Sequence, residues 1–181
     1  MIQPVPRLQK RKFFDEAGLY EYAVGALSRK MRTVGELKRL LRQRAEEELL
    51  VDVVIARLKE QKYLNDSQYA ATYSNYRQTN EKFGKRRVVT DLKIKGVHPD
   101  VIEKAVGQAY SGVNEEKLAR QYLERKRLRK PENDRESARI FRTLLRAGFA
   151  GATIFKILKK WQVPDETLEV LEGEAETPPE V

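Results

Sequence analysis

The chain has 181 residues, no cysteine and a formal net charge of +9. Disulfides, thiolate metal sites and cysteine nucleophiles are therefore excluded, and the lack of cysteine sits comfortably with a reducing cytosol. No stretch is long and apolar enough to cross a bilayer, and Met1–Lys12, with Pro4 and Pro6, lacks the apolar run of a signal peptide, so a cytoplasmic, soluble protein is expected. The charge is unevenly spread. From Asp165 to Val181 there are seven acidic residues and no basic one, which leaves +16 on residues 1–164. A body this basic attracts a polyanion, most often nucleic acid, with a solubilising charge excess as the plainer alternative.

The apolar residues say the same thing three times. Leu37, Leu41, Val51, Val54, Ile55 and Leu58 return 51 residues later as Val88, Leu92, Ile102, Ala105, Val106 and Ala109. After a further 52 they return as Ile140, Leu144, Ile154, Ile157, Leu158 and Trp161. Each set is an i,i+4 pair followed by an i,i+3,i+4,i+7 stripe, the mark of one buried helix face. A period near fifty predicts a tandem array of three-helix repeats, all-α, elongated and curved.

In chain order, residues 1–12 read as a basic disordered arm. Repeat 1 spans residues 13–64. Its first helix carries Leu19, Ala23, Leu27 and Met31; Thr33 and Glu36 form a capping box for the second; the third buries the Val51 stripe. Repeat 2 spans residues 65–112, opening at Asn65 with Gln68 at capping-box spacing. Tyr69, Tyr73 and Tyr76 share its first helix, which Gly84 breaks. Gly96 is a left-handed C-cap, and Pro99 sits at the first position of the third helix behind His98. Repeat 3 spans residues 113–164, with Leu118, Tyr122 and Leu123 in its first helix, Asn133 and Glu136 as an N-cap pair, and Gly148 as the counterpart of Gly96. Ala45 occupies that place in repeat 1, so its turn must close differently. Residues 165–181 read as an acidic, partly disordered tail, either solubilising, the preferred reading, or folded back on the basic body.

Candidate binding residues form basic faces: Lys38, Arg39 and Arg42; Lys85, Arg86 and Arg87 at a helix start whose N–H groups also favour phosphate; Arg125, Lys126 and Arg127; and the spaced series Arg135, Arg139, Arg142 and Arg146. Any one cluster reads most simply as a solvated face. Together they read as an extended surface suited to phosphate contacts without base readout. The three tyrosines could stack on single-stranded bases, but core packing is the preferred reading. Trp161 reads as structural and His98 as a capping or exposed residue. Asp52, Asp66, Asp91, Asp100 and Asp134 lie near helix ends. No nucleophile–base pair, metal-ligand cluster or phosphate loop emerges, so no catalysis and no cofactor are expected.

Several motifs resemble those of the RecX family. Tyr63–Ala70 (YLNDSQYA) is similar to its glycine-tyrosine-leucine-Asp-Asp-x-x-phenylalanine-alanine motif. Gly84-Lys85-Arg86-Arg87 with Leu92, Lys95 and Gly96 resembles its second motif, and Leu144–Phe149 its closing one. Thr33-x-x-Glu36-Leu37 matches a further one. Asn65 replaces the first aspartate, Lys85 a proline, and Ala45 a common glycine. The resemblance implies tandem three-helix repeats without enzymatic activity that bind filaments of the RecA recombinase on DNA. It also implies restraint of ATP hydrolysis, coprotease action and strand exchange, and in some members direct binding of single- or double-stranded DNA. A monomer is expected. The alternative is a sequence-specific DNA-binding protein built from helix-turn-helix-like units; a nuclease ranks third.

Overall fold

The computed structural model describes residues 13–176. The arm of residues 1–12 and residues 177–181 lie outside them. Ten α-helices follow one another: α1 (Glu16–Arg29), α2 (Val34–Leu41), α3 (Glu48–Glu60), α4 (Asp66–Thr79), α5 (Lys85–Ile94), α6 (Pro99–Ala109), α7 (Glu115–Arg125), α8 (Asp134–Arg146), α9 (Gly151–Lys160) and α10 (Asp165–Glu176). The described residues contain no strand, only an isolated bridge between Phe14 and Ala45. The fold is all-α.

Local chemistry fixes the helix ends. Asp15, Thr33, Asn114 and Asn133 each accept a hydrogen bond from the amide three residues on, satisfying a first-turn donor that has no partner within its helix. At α2 the box is complete, because Glu36 also accepts from the Thr33 amide. Asn65 does the same for Gln68 at 2.9 Å. His98 caps α6 through Nδ1, which accepts from the Asp100 amide, and Pro99 stands at its start. Five helices end on a left-handed residue: Lys62, Gly96, Arg127, Gly148 and Gln162. In each, the next amide returns to a carbonyl five residues back, as from Val97 to Leu92 and from Phe149 to Leu144. After α2 the chain does otherwise. Ala45 needs no left-handed residue there, because Phe14 donates to the Arg44 carbonyl (2.8 Å) and accepts from the Glu46 amide (3.1 Å).

The chain divides into two compact units, one ending at Tyr69 and the other beginning at Ala70, within α4. The first buries Leu19, Ala23, Leu37, Leu41, Val51, Val54, Ile55 and Leu58 between α1, α2 and α3. In the second, α5 and α6 bury Val88, Leu92, Ile102, Ala105 and Val106. Helices α7–α10 close around Leu118, Phe141, Leu144, Phe149, Ile154, Ile157 and Leu158, with Trp161 packed against them. Each buried Val, Leu, Ile or Phe among them contributes roughly 1.5–3 kcal/mol. Met31 and Tyr76 leave the faces expected of them and are 52% and 54% exposed.

The acidic C-terminal segment begins with a helix that the sequence reading did not expect. Its first twelve residues are α10, which lays Leu168 and Leu171 on α8 and α9, while Thr167 donates to Asp134 at 2.6 Å. Two leucines at i,i+3 spacing supply an apolar edge that the surrounding carboxylates mask in composition.

Candidate anion-binding groove

In the second unit the carbonyl end of α8 meets the amide end of α5. Gly84 N–H donates to the Ala147 carbonyl (2.8 Å) and Arg86 N–H to the Gly148 carbonyl (3.2 Å). Two glycines permit the approach. A Cβ on Gly84 would lie 2.3 Å from the Gly148 oxygen, and one on Gly148 would lie 2.2 Å from the Arg87 nitrogen. Gly148 also has φ +89°, which disfavours any side chain. The N-terminus of α5 is therefore not the open phosphate site that the sequence suggests: two of its donors and its positive dipole end are met by the carbonyls of α8.

This junction sets the first turn of α5 beside α8, and the end of α7 completes a groove of about 430 Å³. Arg87, Lys126, Arg139 and Arg146 line it, over Phe83, Tyr122, Leu128 and Ala147, with Thr143 between; no carboxylate is among the lining residues. The floor is braced from several sides. Tyr110 donates its phenol hydrogen to the Phe83 carbonyl at 2.7 Å, and burial pushes that phenol above its usual pKa. Arg125 bonds the Asn80 carbonyl in the same loop. The Phe83, Tyr122 and Phe149 rings follow one another at 5.7 and 5.9 Å, and Lys126 lies 5.7 Å over Tyr122. Burial raises the Tyr122 phenol, against the pull of Arg87, Arg125 and Arg146.

Beside the groove, Asp91 is nearly buried and gathers charge. Arg87 Nε lies 2.9 Å from it, Tyr73 donates to it at 2.9 Å, and Arg77 reaches it at 3.2 Å while also pairing with Glu81. Tyr73 is thus a hydrogen-bonding member of this network, and Tyr69 is buried; neither is the open stacking face that the three tyrosines offered.

The predicted basic residues separate accordingly. Arg87, Lys126, Arg139 and Arg146 converge. Arg135 and Arg142 are exposed on α8 outside the groove's lining, because only one side of the α8 series turns toward α5 and α7. Arg127 is the left-handed residue closing α7. Lys85 and Arg86 are exposed on the first turn of α5. In the first unit, Lys38 pairs with Asp52 (2.7 Å), whose carboxyl it holds below the usual range, and Arg42 pairs with Glu48 (3.1 Å). Those pairs offset part of the charge there; Arg39 is exposed on α2. The sequence reading missed Phe83, Leu128, Thr143 and Ala147 as site residues; Gly84 next to Phe83 and Gly148 next to Ala147 gave a signal, and nothing in the sequence marked Leu128 or Thr143.

The structure defines a helical scaffold that carries a cationic groove, and no described helix is long and apolar enough to cross a membrane. Residues 65–106 match the profile of the second three-helix domain of RecX. The chain is 32% identical over 167 residues to the regulatory protein RecX of Bacillus pumilus, covering 84% of this chain and 63% of that protein's length. It is 31% identical over 160 residues to the regulatory protein RecX of Deinococcus radiodurans, covering 87% and 75%. The chain belongs to the RecX family. In fold it is similar to a crystal structure of regulatory protein RecX (TM-score 0.66, 23% identity, 80% of this chain and 71% of that one). It is also similar to the crystal structure of RecX from Lactobacillus salivarius (TM-score 0.61, 22% identity, 81% and 96%).

Proposed function

We propose that this chain is a non-catalytic, cytoplasmic, monomeric regulator that binds the RecA recombinase assembled on DNA and restrains its ATPase, strand-exchange and coprotease activities. The observation that carries the reading is a cationic groove on the scaffold of a family whose members are named regulatory proteins. Three-helix repeats over residues 13–64, 65–112 and 113–164 would touch successive protomers or the DNA between them, so that weak contacts add through avidity. Bridged protomers are hindered in the movements that couple ATP turnover to strand exchange. The basic faces supply phosphate contacts that fix position without reading sequence.

The test is a RecA ATPase assay on single-stranded DNA with wild type and the triple reversal Arg139→Glu/Arg142→Glu/Arg146→Glu. Wild type is expected to slow turnover at stoichiometric ratios, and the reversal to weaken that effect at least tenfold in concentration. Unchanged ATPase and unchanged filament length with the wild-type protein would refute the reading.

A further inference from the structure

We infer that the groove between α5, α7 and α8 is a site for one nucleotide unit of a single strand, seating the phosphate on its arginines and the base against its apolar floor. The inference deepens the reading above by naming the ligand of this site, and it rests on that reading only for its biological setting.

Two observations select this ligand class together. The rim carries Lys126, Arg139 and Arg146 from two separate elements, with Arg87 on a third held beside them by its ion pair with Asp91, and no carboxylate lines the groove itself, so it favours an anion approached from several sides. The floor is not polar: Phe83 and Leu128 are only half-buried, and present apolar surface inside that cationic ring. An inorganic anion or the carboxylates of an acidic peptide would use the rim and leave the floor bare. A nucleotide has both a phosphate and a flat apolar face. The volume of about 430 Å³ lies within the range of sites that enclose small organic ligands and exceeds what a lone phosphate fills.

The geometry also favours a strand whose bases are free. In a duplex the bases are stacked inward and only the backbone reaches a local concavity, whereas a single strand can turn a base into it. Thr143 donates its hydroxyl hydrogen to the Arg139 carbonyl (2.7 Å), leaving that hydroxyl only its acceptor capacity toward the groove. Arginine supplies three of the four cations, and its planar fork suits phosphate better than a point charge does.

The experiment uses the full chain and no RecA, so its failure leaves the regulatory reading standing, and failure of the ATPase test leaves this one standing. Binding of a labelled short oligothymidylate is followed by fluorescence anisotropy over a salt series, beside an abasic oligomer of equal length, the matching duplex, and thymidine monophosphate as competitor. The oligothymidylate is expected to bind about tenfold more tightly than the abasic strand, the scale of one base stacked on an apolar side chain. Arg139→Gln/Arg146→Gln should abolish that difference and lower the salt slope by about 0.7, the contribution of the one phosphate seated there. Lys159→Gln/Lys160→Gln, on α9 outside the groove's lining, should leave the base-dependent difference intact. Equal binding of the abasic strand or of the duplex overturns the base site in favour of plain phosphate attraction. Thymidine monophosphate binding as tightly as the strand overturns it in favour of a free nucleotide. A base-dependent difference that survives the double arginine variant overturns the placement.

Discussion

Replacing Gly148 with alanine tests the junction that builds the groove. The added Cβ meets Arg87 at 2.2 Å from its nitrogen, 2.5 Å from its Cβ and 2.8 Å from its Cα. Backbone and Cβ atoms cannot swing aside as the tip of a long side chain can, so α5 must move away from α8. Movement of about 1 Å breaks the bonds from Gly84 to Ala147 and from Arg86 to Gly148. Each lost bond that leaves a buried partner unsatisfied costs about 1–3 kcal/mol. A side chain at φ +89° adds about 1 kcal/mol of strain. The sum is about 3 kcal/mol or more. With a urea slope of about 2 kcal/mol/M, the midpoint should fall by about 1.5 M. Gly112 provides the comparison, since it has φ +68° with nothing within 4 Å of its added Cβ. Gly112→Ala should therefore show the strain alone, about 1 kcal/mol. The assay is urea unfolding of both variants followed by far-UV circular dichroism. Losses equal within about 0.5 kcal/mol would refute the idea that the α5–α8 contact fixes the groove. Gly84→Ala, with no unusual φ but a 2.3 Å approach to the Gly148 oxygen, should fall with Gly148→Ala rather than with Gly112→Ala.

Asp91→Ala should destabilise by about 1–3 kcal/mol in the same unfolding assay, because it removes the acceptor of the Tyr73 hydroxyl and one of the two carboxylates paired with Arg77 at a nearly buried site; a loss below about 0.5 kcal/mol would show the network to be incidental. Glu116 accepts from Lys160 at 2.6 Å, with Arg120 and Lys156 close by, and these hold its pKa down to about 2. A depressed carboxyl contributes its stability above its ordinary value of 4.5 and loses it as pH falls toward 2. Thermal unfolding of Glu116→Gln should therefore match wild type near pH 2 and fall below it above pH 4.5; a gap independent of pH would contradict this. Leu171, 2% exposed, anchors α10, and Leu171→Ala should cost about 2–4 kcal/mol and speed proteolysis of α10; unchanged cleavage would show that α10 is not held by that contact.

Much of the fold was legible because helix formation and capping are local. The i,i+3,i+4 stripes announced α3, α6 and α9, since a residue's face on a helix depends only on its spacing. Thr33, Asn65 and Asn133 named their helix starts, because a cap needs only the three residues that follow. Positive φ at Gly96 and Gly148 was readable for the same reason, but the left-handed Lys62, Arg127 and Gln162 carry side chains, and no composition signal marks them. The sequence also concentrated positive charge on residues 1–164.

Tertiary structure decided what those charges do. Spacing placed Arg135, Arg139, Arg142 and Arg146 on one helix with equal standing, yet only Arg139 and Arg146 line the groove, because the opposing wall comes from Arg87 on α5 and Lys126 after α7. Lys38 and Arg42 looked equivalent to them until folding brought Asp52 and Glu48 within ion-pair distance. The meeting of Gly84 with Gly148 joins positions far apart in the chain, through a contact that requires the absence of two side chains. Local sequence records where a helix begins and which face is apolar; it does not record which helix end another helix end will touch, because that depends on how separate apolar faces pack together.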